Sequence, residues 1–246
     1  MTGSLARRAT AEGIGTAALV AVVVGSGIQA AALSHDVGVQ LLANALATVF
    51  ALAVLIAVLG PVSGAHFNPV VTLVTWLTGR RRPERSLTGR DAAAYVPAQI
   101  VGAIGGAGLA NAMFAGPVVE FSHHDRFAGH LWLGELVATT GLLFTLLGLA
   151  RAGRTGLAPA LVPAYIGAAY WFTSSTSFAN PAVTIGRAFT DTFSGIAPSS
   201  VPPFIAAQLA GAVLGIALTA VVFGRPATTA TPAAAGAEPS LTAAAR

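Results

Sequence analysis

The chain has 246 residues, 54% of them hydrophobic and only 9% charged, with a formal net charge of +4. Soluble domains carry charged side chains at about a quarter of their positions, so this composition excludes an ordinary soluble protein and indicates an integral membrane protein. Cysteine is absent, which excludes disulfides, thiolate metal sites and cysteine nucleophiles. The thirteen cationic residues are all arginine and lie in short segments between apolar stretches, which is typical of membrane topology rather than of a nucleic-acid-binding face.

Six apolar stretches are each predicted to cross the membrane as a helix, since a span takes about 20 helical residues. The predicted spans are 11–33, 39–59, 92–114, 131–150, 157–173 and 201–223. Together they predict an all-α membrane protein with one transmembrane domain over 11–225. Residues 1–10 are predicted to be a cytoplasmic segment before a retained first span, because no cleavage site is evident. Residues 226–246, rich in Ala, Thr and Pro, are predicted to be a disordered cytoplasmic tail.

Arginine is distributed unequally between the two sides of this six-span topology. One side would carry Arg7, Arg8, Arg80, Arg81, Arg82, Arg85, Arg90, Arg151, Arg154 and Arg225. The opposite side would carry Asp36, Glu120, Asp125 and Asp191, with Arg126 and Arg187 as its cations. Because short cytoplasmic segments are enriched in positive charge, both termini are predicted to be cytoplasmic, in a multi-pass protein of the inner (plasma) membrane.

Two Asn-Pro motifs follow the second and the fifth predicted spans. They are Asn68-Pro69-Val70 and Asn180-Pro181-Ala182. Proline is tolerated at the first helical position, and an asparagine before it can cap the helix through its side-chain oxygen, which leaves its amide NH2 as a fixed donor. The apolar run after each motif covers roughly 10 residues, or about 15 Å of helix, half of the bilayer core. Such segments cannot span, so the sequence predicts two re-entrant half-helices that line a cavity.

The two halves of the chain, 11–115 and 131–224, repeat each other. The matched polar positions are Glu12 and Glu135, Asn68 and Asn180, and Gln99 and Gln208. Each half contains three spans, an odd number, so the halves must insert with opposite polarity. Gln99 and Gln208 are interpreted as hydrogen-bonding residues between packed helices. Glycines four residues apart, which allow close helix approach, are Gly102 with Gly106 and Gly211 with Gly215.

The two Asn-Pro boxes resemble those of the major intrinsic protein family, the aquaporins and glycerol facilitators, although the first box has Val70 where the family has alanine. The resemblance covers roughly 11–223 and implies an aquaporin-like fold of six tilted helices plus two half-helices that meet at mid-membrane. It also implies a homotetramer in the lipid bilayer with one pore in each protomer. For Glu12 and Glu135 it implies that the carboxylates hold the backbone groups of the two re-entrant loops.

Polar groups around the two boxes are candidates for contact with a solute. Asn68 and Asn180 are expected to orient the solute through their amide groups. The carbonyls of 64–67 and 176–179 are expected to supply acceptors along the path, because these segments are too short to form hydrogen bonds internally. His66, two residues before the first asparagine, either faces the lumen or has a structural role.

The narrow filter of the pore can be placed by resemblance alone. The four family positions correspond to Thr48, Ala168, Ser177 and Val183. Water-selective members carry Phe, His, a small residue and Arg at these places, so the ring in this chain would be small, wide and partly apolar, and would admit solutes larger than water. Arg187 lies one helical turn beyond Val183, where it could reach the mouth or pair with Asp191 at i+4; the pair is favoured.

The expected function is passive conduction of small uncharged solutes across a membrane. The combination of Thr48, Ala168 and Val183 resembles a bacterial subgroup linked to arsenic resistance, so the expected solutes are arsenite and other metalloid hydroxides, and glycerol, together with water. No cofactor and no metal site are expected. The run His123-His124-Asp125, with His130, is interpreted as a solvated external loop.

Two alternatives to a wide channel remain open. A water-selective channel would need Tyr170 or Trp171 to turn inward and narrow the filter. A proton-coupled secondary transporter would use Glu12 and Glu135 as proton carriers, since intramembrane acids are often functional. An enzyme is not expected, because Ser, His and Asp are scattered among the predicted loops without the spacing of a metal site or a catalytic triad.

Overall fold

The fold is built from α-helices, and the computed structural model describes residues 3–79 and 87–224 of the chain. Within those ranges the helices are α1 (Leu5–Leu33), α2 (Val37–Ser63), α3 (Pro69–Gly79), α4 (Gly89–Met113), α5 (Gly129–Arg151), α6 (Ala158–Phe172), α7 (Pro181–Arg187) and α8 (Val201–Phe223). Short 3-10 turns precede α6 and α8. Outside the described residues lie Arg80, Arg81, Arg82, Arg85, Arg225 and the predicted tail 226–246.

Five of the six predicted spans correspond to long helices, and the remaining one corresponds to a shorter helix. Five described helices, α1, α2, α4, α5 and α8, have the length and hydropathy of a membrane span. The fifth predicted span, 157–173, corresponds to α6, which has 15 residues, or about 22 Å, and follows directly on a 3-10 turn. Pro159 lies in the first turn of this helix. The helix ends at Phe172, and from Thr173 the chain continues as an irregular loop. The predicted segment 1–10 is partly helical, since α1 begins inside it after the capping residue Ser4.

The two half-helices are α3 and α7, with 11 and 7 residues, or about 16 and 10 Å. Each begins at the proline of an Asn-Pro motif. They contact each other, and each also packs against helices of the opposite half, α3 against α8 and α7 against α1 and α4. Helix α1 packs on α2 and α4 as α5 packs on α6 and α8. This is the inverted repeat of six helices and two half-helices that the sequence predicts.

Polarity is distributed in the manner of a membrane protein. Phe50 on α2 is 65% exposed and Val221 on α8 is 81% exposed, whereas Glu12, Gln99 and Gln208 are fully buried. Apolar side chains that face outward are stable in hydrocarbon but costly in water. The polar residues inside the bundle must therefore find their partners within the protein.

The helix ends define two sides of the bundle. On one side Arg8 forms an ion pair with Asp91 at 2.6 Å, which joins the start of α1 to the start of α4. The carbonyl oxygen of Gly224, after α8, accepts a hydrogen bond from Arg151 at the end of α5 on the same side. On the opposite side, called here the loop side, residues 114–128 pack against 188–200 through backbone hydrogen bonds.

Glycine permits the closest helix crossings. A Cβ atom placed on Gly102 or Gly106 of α4 would overlap the backbone carbonyl oxygen of Gly13 or Ala17 in α1, and one on Gly211 of α8 would meet the backbone of α5. The expected close approach is therefore confirmed, and it occurs within one chain, between α1 and α4 and between α5 and α8.

Replacing Gly106 by alanine is expected to destabilise the protein by about 1–3 kcal/mol, because α1 and α4 would have to move apart. Gly105→Ala is the matched control, since a Cβ there meets no described atom within 4 Å and the change in helix propensity is the same. Thermal unfolding of the detergent-solubilised protein measures both variants. Equal unfolding midpoints for the two would contradict the close packing of α1 and α4.

Candidate functional site: a lumen between two half-helices

Each asparagine of the two boxes caps the half-helix that follows it. The side-chain oxygen of Asn68 accepts from the backbone N–H of Val70 at 3.0 Å. The side-chain oxygen of Asn180 accepts from Ala182 at 3.0 Å and from Val183 at 3.3 Å. An asparagine cap satisfies N–H groups that a helix start leaves without partners. Pro69, Val70, Pro181 and Ala182 are buried behind these caps and pack in the core.

The two boxes are also bonded to each other. The amide nitrogen of Asn68 donates to the carbonyl oxygen of Ala179 at 2.8 Å, and that of Asn180 donates to the carbonyl oxygen of Phe67 at 2.7 Å. A primary amide carries two N–H donors. One donor of each asparagine therefore fixes the opposite loop, and the second has no partner among the described residues.

The loops before the boxes share an unusual backbone. Ala65 and Phe67 in the first loop, and Ser177 and Ala179 in the second, have φ angles between 46° and 53°. Residues other than glycine rarely adopt this left-handed region, and each costs about 1–3 kcal/mol. Such a run cannot form helical hydrogen bonds, so its N–H groups need acceptors from elsewhere in the protein.

Glu12 supplies those acceptors for the first loop. One carboxylate oxygen accepts from the hydroxyl of Ser63 at 2.6 Å and from the backbone N–H of His66 at 3.0 Å. The other accepts from the backbone N–H of Phe67 at 2.7 Å and from the amide of Gln99 at 2.8 Å. Both oxygens are thus committed to protein donors, which is the geometry of an anchor for the loop.

Glu135 repeats this arrangement in the second half. Its two oxygens accept from the backbone N–H groups of Phe178 and Ala179, both at 2.8 Å. The amide of Gln208 donates to the same carboxylate at 2.6 Å and to the hydroxyl of Thr184 at 2.9 Å. Gln99 likewise donates to the hydroxyl of Thr72 at 2.9 Å. The two glutamines therefore join a long helix to both a carboxylate and a half-helix.

A single cavity of about 850 Å³ runs past both boxes. Its lining includes Arg151 and Thr155 on one side of the bundle, Asn68 and Asn180 at the centre, and Arg187 towards the loop side. His66 also lines the cavity, with its Nδ1 atom 3.1 Å from the hydroxyl of Thr72. The described residues thus enclose a continuous lumen, and His66 faces it while also bonding to α3.

Of the four filter positions counted along the sequence, three lie in the lumen wall and one does not. Thr48, Ser177 and Val183 line the lumen, but Ala168 is exposed on the outer face of α6. Tyr170 lies inward instead: it is 4% exposed, and its hydroxyl oxygen is 3.2 Å from that of Thr48. Ala168, predicted as a filter residue, therefore does not line the lumen, and Tyr170 does.

Trp171, the other aromatic residue that could have narrowed the filter, is 53% exposed and faces outward. The signal that could have located Tyr170 is the apolar periodicity of α6. Val162, Ile166, Ala169 and Tyr170 form its buried stripe, and residues three or four positions apart share one face of a helix.

Arg187 does not form the ion pair with Asp191 that the sequence analysis favours. Its Nε–H donates to the carbonyl oxygen of Ser194, and its guanidinium carbon lies 3.4 Å from the ring centroid of Phe178. Helix α7 ends at Arg187, so Asp191 is not on the same helix face. Asp191 instead accepts from the ring of His123 at 2.9 Å and from the His123 backbone N–H.

The histidines of the loop side form no metal centre within the described ranges, where no group of three or more His, Cys, Asp and Glu could hold an ion. Asp125 accepts from the backbone of Phe127 and from the hydroxyl of Ser200. His123 is exposed, and its hydrogen bond with the Asp191 carboxylate raises the pKa of His123 and lowers that of Asp191. This pair ties residues 114–128 to the segment that follows α7.

Two half-helices that meet cap to cap inside an apolar bundle, with a lumen past the caps, define a passive membrane channel of the aquaporin fold. A sequence model of the major intrinsic protein family matches residues 2–177. The chain belongs to the major intrinsic protein family. It is a multi-pass membrane channel rather than an enzyme.

Known proteins resemble the chain over most of its length. It is 53% identical to aquaglyceroporin AqpS of Rhizobium meliloti (strain 1021) over 214 residues, which is 87% of this chain and 89% of that protein. It is 29% identical to aquaporin AqpM of Methanothermobacter marburgensis, over 89% of this chain and 97% of that protein. The X-ray structure of the aquaglyceroporin from Plasmodium falciparum superposes with a TM-score of 0.65 at 20% identity, over 89% of this chain and 97% of that one. This last likeness shows the shared fold.

Glu135→Gln is expected to destabilise the protein by about 2–5 kcal/mol, because an amide NH2 would face buried N–H donors where the carboxylate now accepts them. Thermal unfolding in detergent and water flux in proteoliposomes measure the loss. Glu120→Gln is the control, since Glu120 is exposed on the loop side. A stable Glu135→Gln variant that lost only proton-driven solute accumulation would favour the secondary transporter instead.

The His123–Asp191 pair is expected to be strongest between the lowered pKa of Asp191 and the raised pKa of His123. A histidine with a raised pKa stabilises the fold at low pH, and this contribution is lost as the pH rises through that pKa. An aspartate with a lowered pKa stabilises the fold at higher pH, and this contribution is lost as the pH falls through that pKa. Asp191→Asn should return the pKa of His123 to about 6.5, measured by NMR of histidine-labelled protein. Asp125→Asn is the control; an equal shift there would contradict the assigned pair.

Proposed function

We propose that the channel conducts small uncharged solutes larger than water, namely glycerol and the neutral hydroxides of metalloids such as arsenite, together with water. The observation that supports this is the mixed wall of the lumen beside Asn180. Val183 and Ile166 are apolar there, while Thr48, Tyr170 and Ser177 carry hydroxyls. Glycerol and arsenous acid also combine hydroxyl groups with a less polar surface. Their hydroxyls would face the polar part of the wall, and their less polar surface would face the apolar part.

The name of the Rhizobium meliloti relative, aquaglyceroporin, supports the inclusion of glycerol at 53% identity. The absence of a bulky or cationic side chain at Val183 supports passage of a solute wider than water. Asn68 and Asn180 would orient hydroxyl oxygens through their remaining N–H groups. Glu12 and Glu135 would act by holding the loops rather than as the proton carriers of a transporter, because both oxygens of each carboxylate already accept protein hydrogen bonds.

A water-selective channel is the second candidate, and the inward position of Tyr170 favours it. The tyrosine ring occupies the side of the filter that a wide pore would leave open, and its hydroxyl is hydrogen-bonded to that of Thr48. The two candidates differ in whether glycerol passes this ring. Water passes in both.

We also propose the orientation and the assembly. Arg8 and Arg151 lie on the same side of the bundle, and a cytoplasmic location for that side agrees with the bias of short cytoplasmic segments towards arginine. Both termini would then be cytoplasmic, in the plasma membrane, which is the inner membrane of a bacterium. The outward apolar faces, such as that of α2 with Phe50, would contact lipid or neighbouring protomers in a homotetramer.

Stopped-flow measurements on proteoliposomes test the solute range, with water, glycerol and arsenite uptake compared in one preparation. We expect the flux of each of the three solutes to exceed that of protein-free liposomes. Val183→Arg should lower glycerol and arsenite flux by about tenfold or more while water still passes, because a guanidinium would fill the apolar side of the filter. Tyr170→Ala should raise glycerol flux, with Trp171→Ala as the outward-facing control. Water flux without glycerol or arsenite flux in the unmodified protein would overturn the proposal in favour of the water channel.

A further inference from the structure

Arg187 occupies a position in the lumen wall that its place in the sequence does not predict. It is 4% exposed and lines the same cavity as Val183 and Tyr170. It is the last residue of α7, one helical turn beyond Val183. Because residues four apart share a helix face, its side chain rises above that of Val183 towards the loop side.

Two contacts hold the guanidinium of Arg187 in place. The Nε–H donates to the carbonyl oxygen of Ser194, and the guanidinium carbon lies over the face of Phe178 at 3.4 Å from the ring centroid. A cation over an aromatic face is stabilised by the ring quadrupole. Among the described residues the terminal nitrogens of Arg187 have no hydrogen-bond acceptor, and they are not enclosed by protein. Those N–H groups are therefore available to the contents of the lumen.

The guanidinium of Arg187 forms no ion pair among the described residues, although the Glu135 carboxylate lies close enough to interact with its charge. Within residues 3–79 and 87–224 the ion pairs are Arg8 with Asp91 and His123 with Asp191, and Arg187 belongs to neither. Arg126 also contacts this ring, with its guanidinium carbon 5.1 Å from the Phe178 centroid, but it does not line the lumen, so the charge that faces the lumen is that of Arg187. In a narrow lumen with low-dielectric walls, such a charge repels cations more strongly than it would in bulk water.

The wall near Arg187 carries acceptors. Thr48 gives its own hydroxyl proton to the carbonyl oxygen of Asn44 at 2.8 Å, so in the 3.2 Å contact the hydroxyl of Tyr170 is the donor. The oxygen of Tyr170 then keeps its lone pairs for the lumen. The residue Ser177 also lines this cavity, but its hydroxyl oxygen is enclosed by protein, so the acceptor that faces the lumen is the Tyr170 oxygen. Donors and acceptors are thus present together at the narrow mouth.

We propose that Arg187 is the specificity-determining residue of the loop-side mouth: it excludes cations and donates hydrogen bonds to the entering solute, from one helical turn outside Val183. The proposal rests on the channel function and is independent of which neutral solute is transported. The protein thereby keeps a guanidinium at the entrance and an apolar side chain at the filter position itself.

Arg187→Gln tests the proposal in proteoliposomes, with proton and potassium leak followed by an enclosed pH dye and by an ion-selective electrode. Loss of the charge is expected to raise the cation leak by about tenfold or more, and Arg187→Lys should keep the leak low. Arg126→Gln is the matched control, because Arg126 contacts the same ring and donates to the neighbouring carbonyl of Gly195 but does not line the lumen. Its leak should equal that of the unmodified protein.

A second pair of variants keeps Arg187 in place, in case its removal prevents folding. Val183→Glu would put a carboxylate one turn below the guanidinium and cancel its charge, whereas Val183→Gln has the same shape without the charge. The glutamate variant should leak cations about tenfold more than the glutamine variant. Water flux above that of protein-free liposomes shows that each variant is assembled.

Equal leak in Arg187→Gln and the unmodified protein, or equal leak in Arg187→Gln and Arg126→Gln, would overturn the proposal. So would equal leak in the two Val183 variants. These outcomes differ from a failure of the proposed solute range, which would appear as missing glycerol and arsenite flux in the unmodified protein whatever its cation leak.

Discussion

Irregular backbone inside a membrane has to satisfy its N–H groups without water, and in this protein two buried carboxylates do so. Glu12 accepts two N–H groups of the first loop, and Glu135 accepts two of the second. Each loop leads directly into the cap of a half-helix, so the carboxylates determine where both asparagines stand. The dimensions of the lumen therefore depend on two residues of α1 and α5 that do not line it.

The inverted repeat gives the two loops the same backbone but different side chains. His66 and Phe178 occupy equivalent places, between left-handed residues, in the first and second loops. The histidine turns a polar ring to the lumen, whereas the phenylalanine provides the face on which Arg187 rests. A symmetric scaffold thus has chemically different lumen walls in its two halves, and the arginine lies towards the loop side.

The sequence is sufficient to predict features that depend on local chemistry or on repetition. The half-helices follow from asparagine capping and proline at the first helical turn, and the supporting glutamates and glutamines follow from matched positions in the two halves. The filter is harder to predict, because counting back from Asn180 assumes the length and path of the loop after α6. In this chain Tyr170 is on the buried face of α6 and Ala168 is on its exposed face. The predicted pair of Arg187 with Asp191 is absent for a related reason. Residues four apart share a face only where the helix continues, and α7 ends at Arg187. The partners of Arg187, Phe178 and Ser194, therefore come from other segments.

The exchange of hydrogen bonds between the boxes bears on how the protein is made. Asn68 needs the carbonyl oxygen of Ala179, and the carbonyl oxygen of Phe67 needs Asn180, so the half emerging first from the ribosome cannot satisfy these groups by itself. An unpaired amide and an unpaired carbonyl at the centre of a bilayer are costly. These two central hydrogen bonds therefore form only when the two halves dock, and a first half made alone would leave both of them unformed.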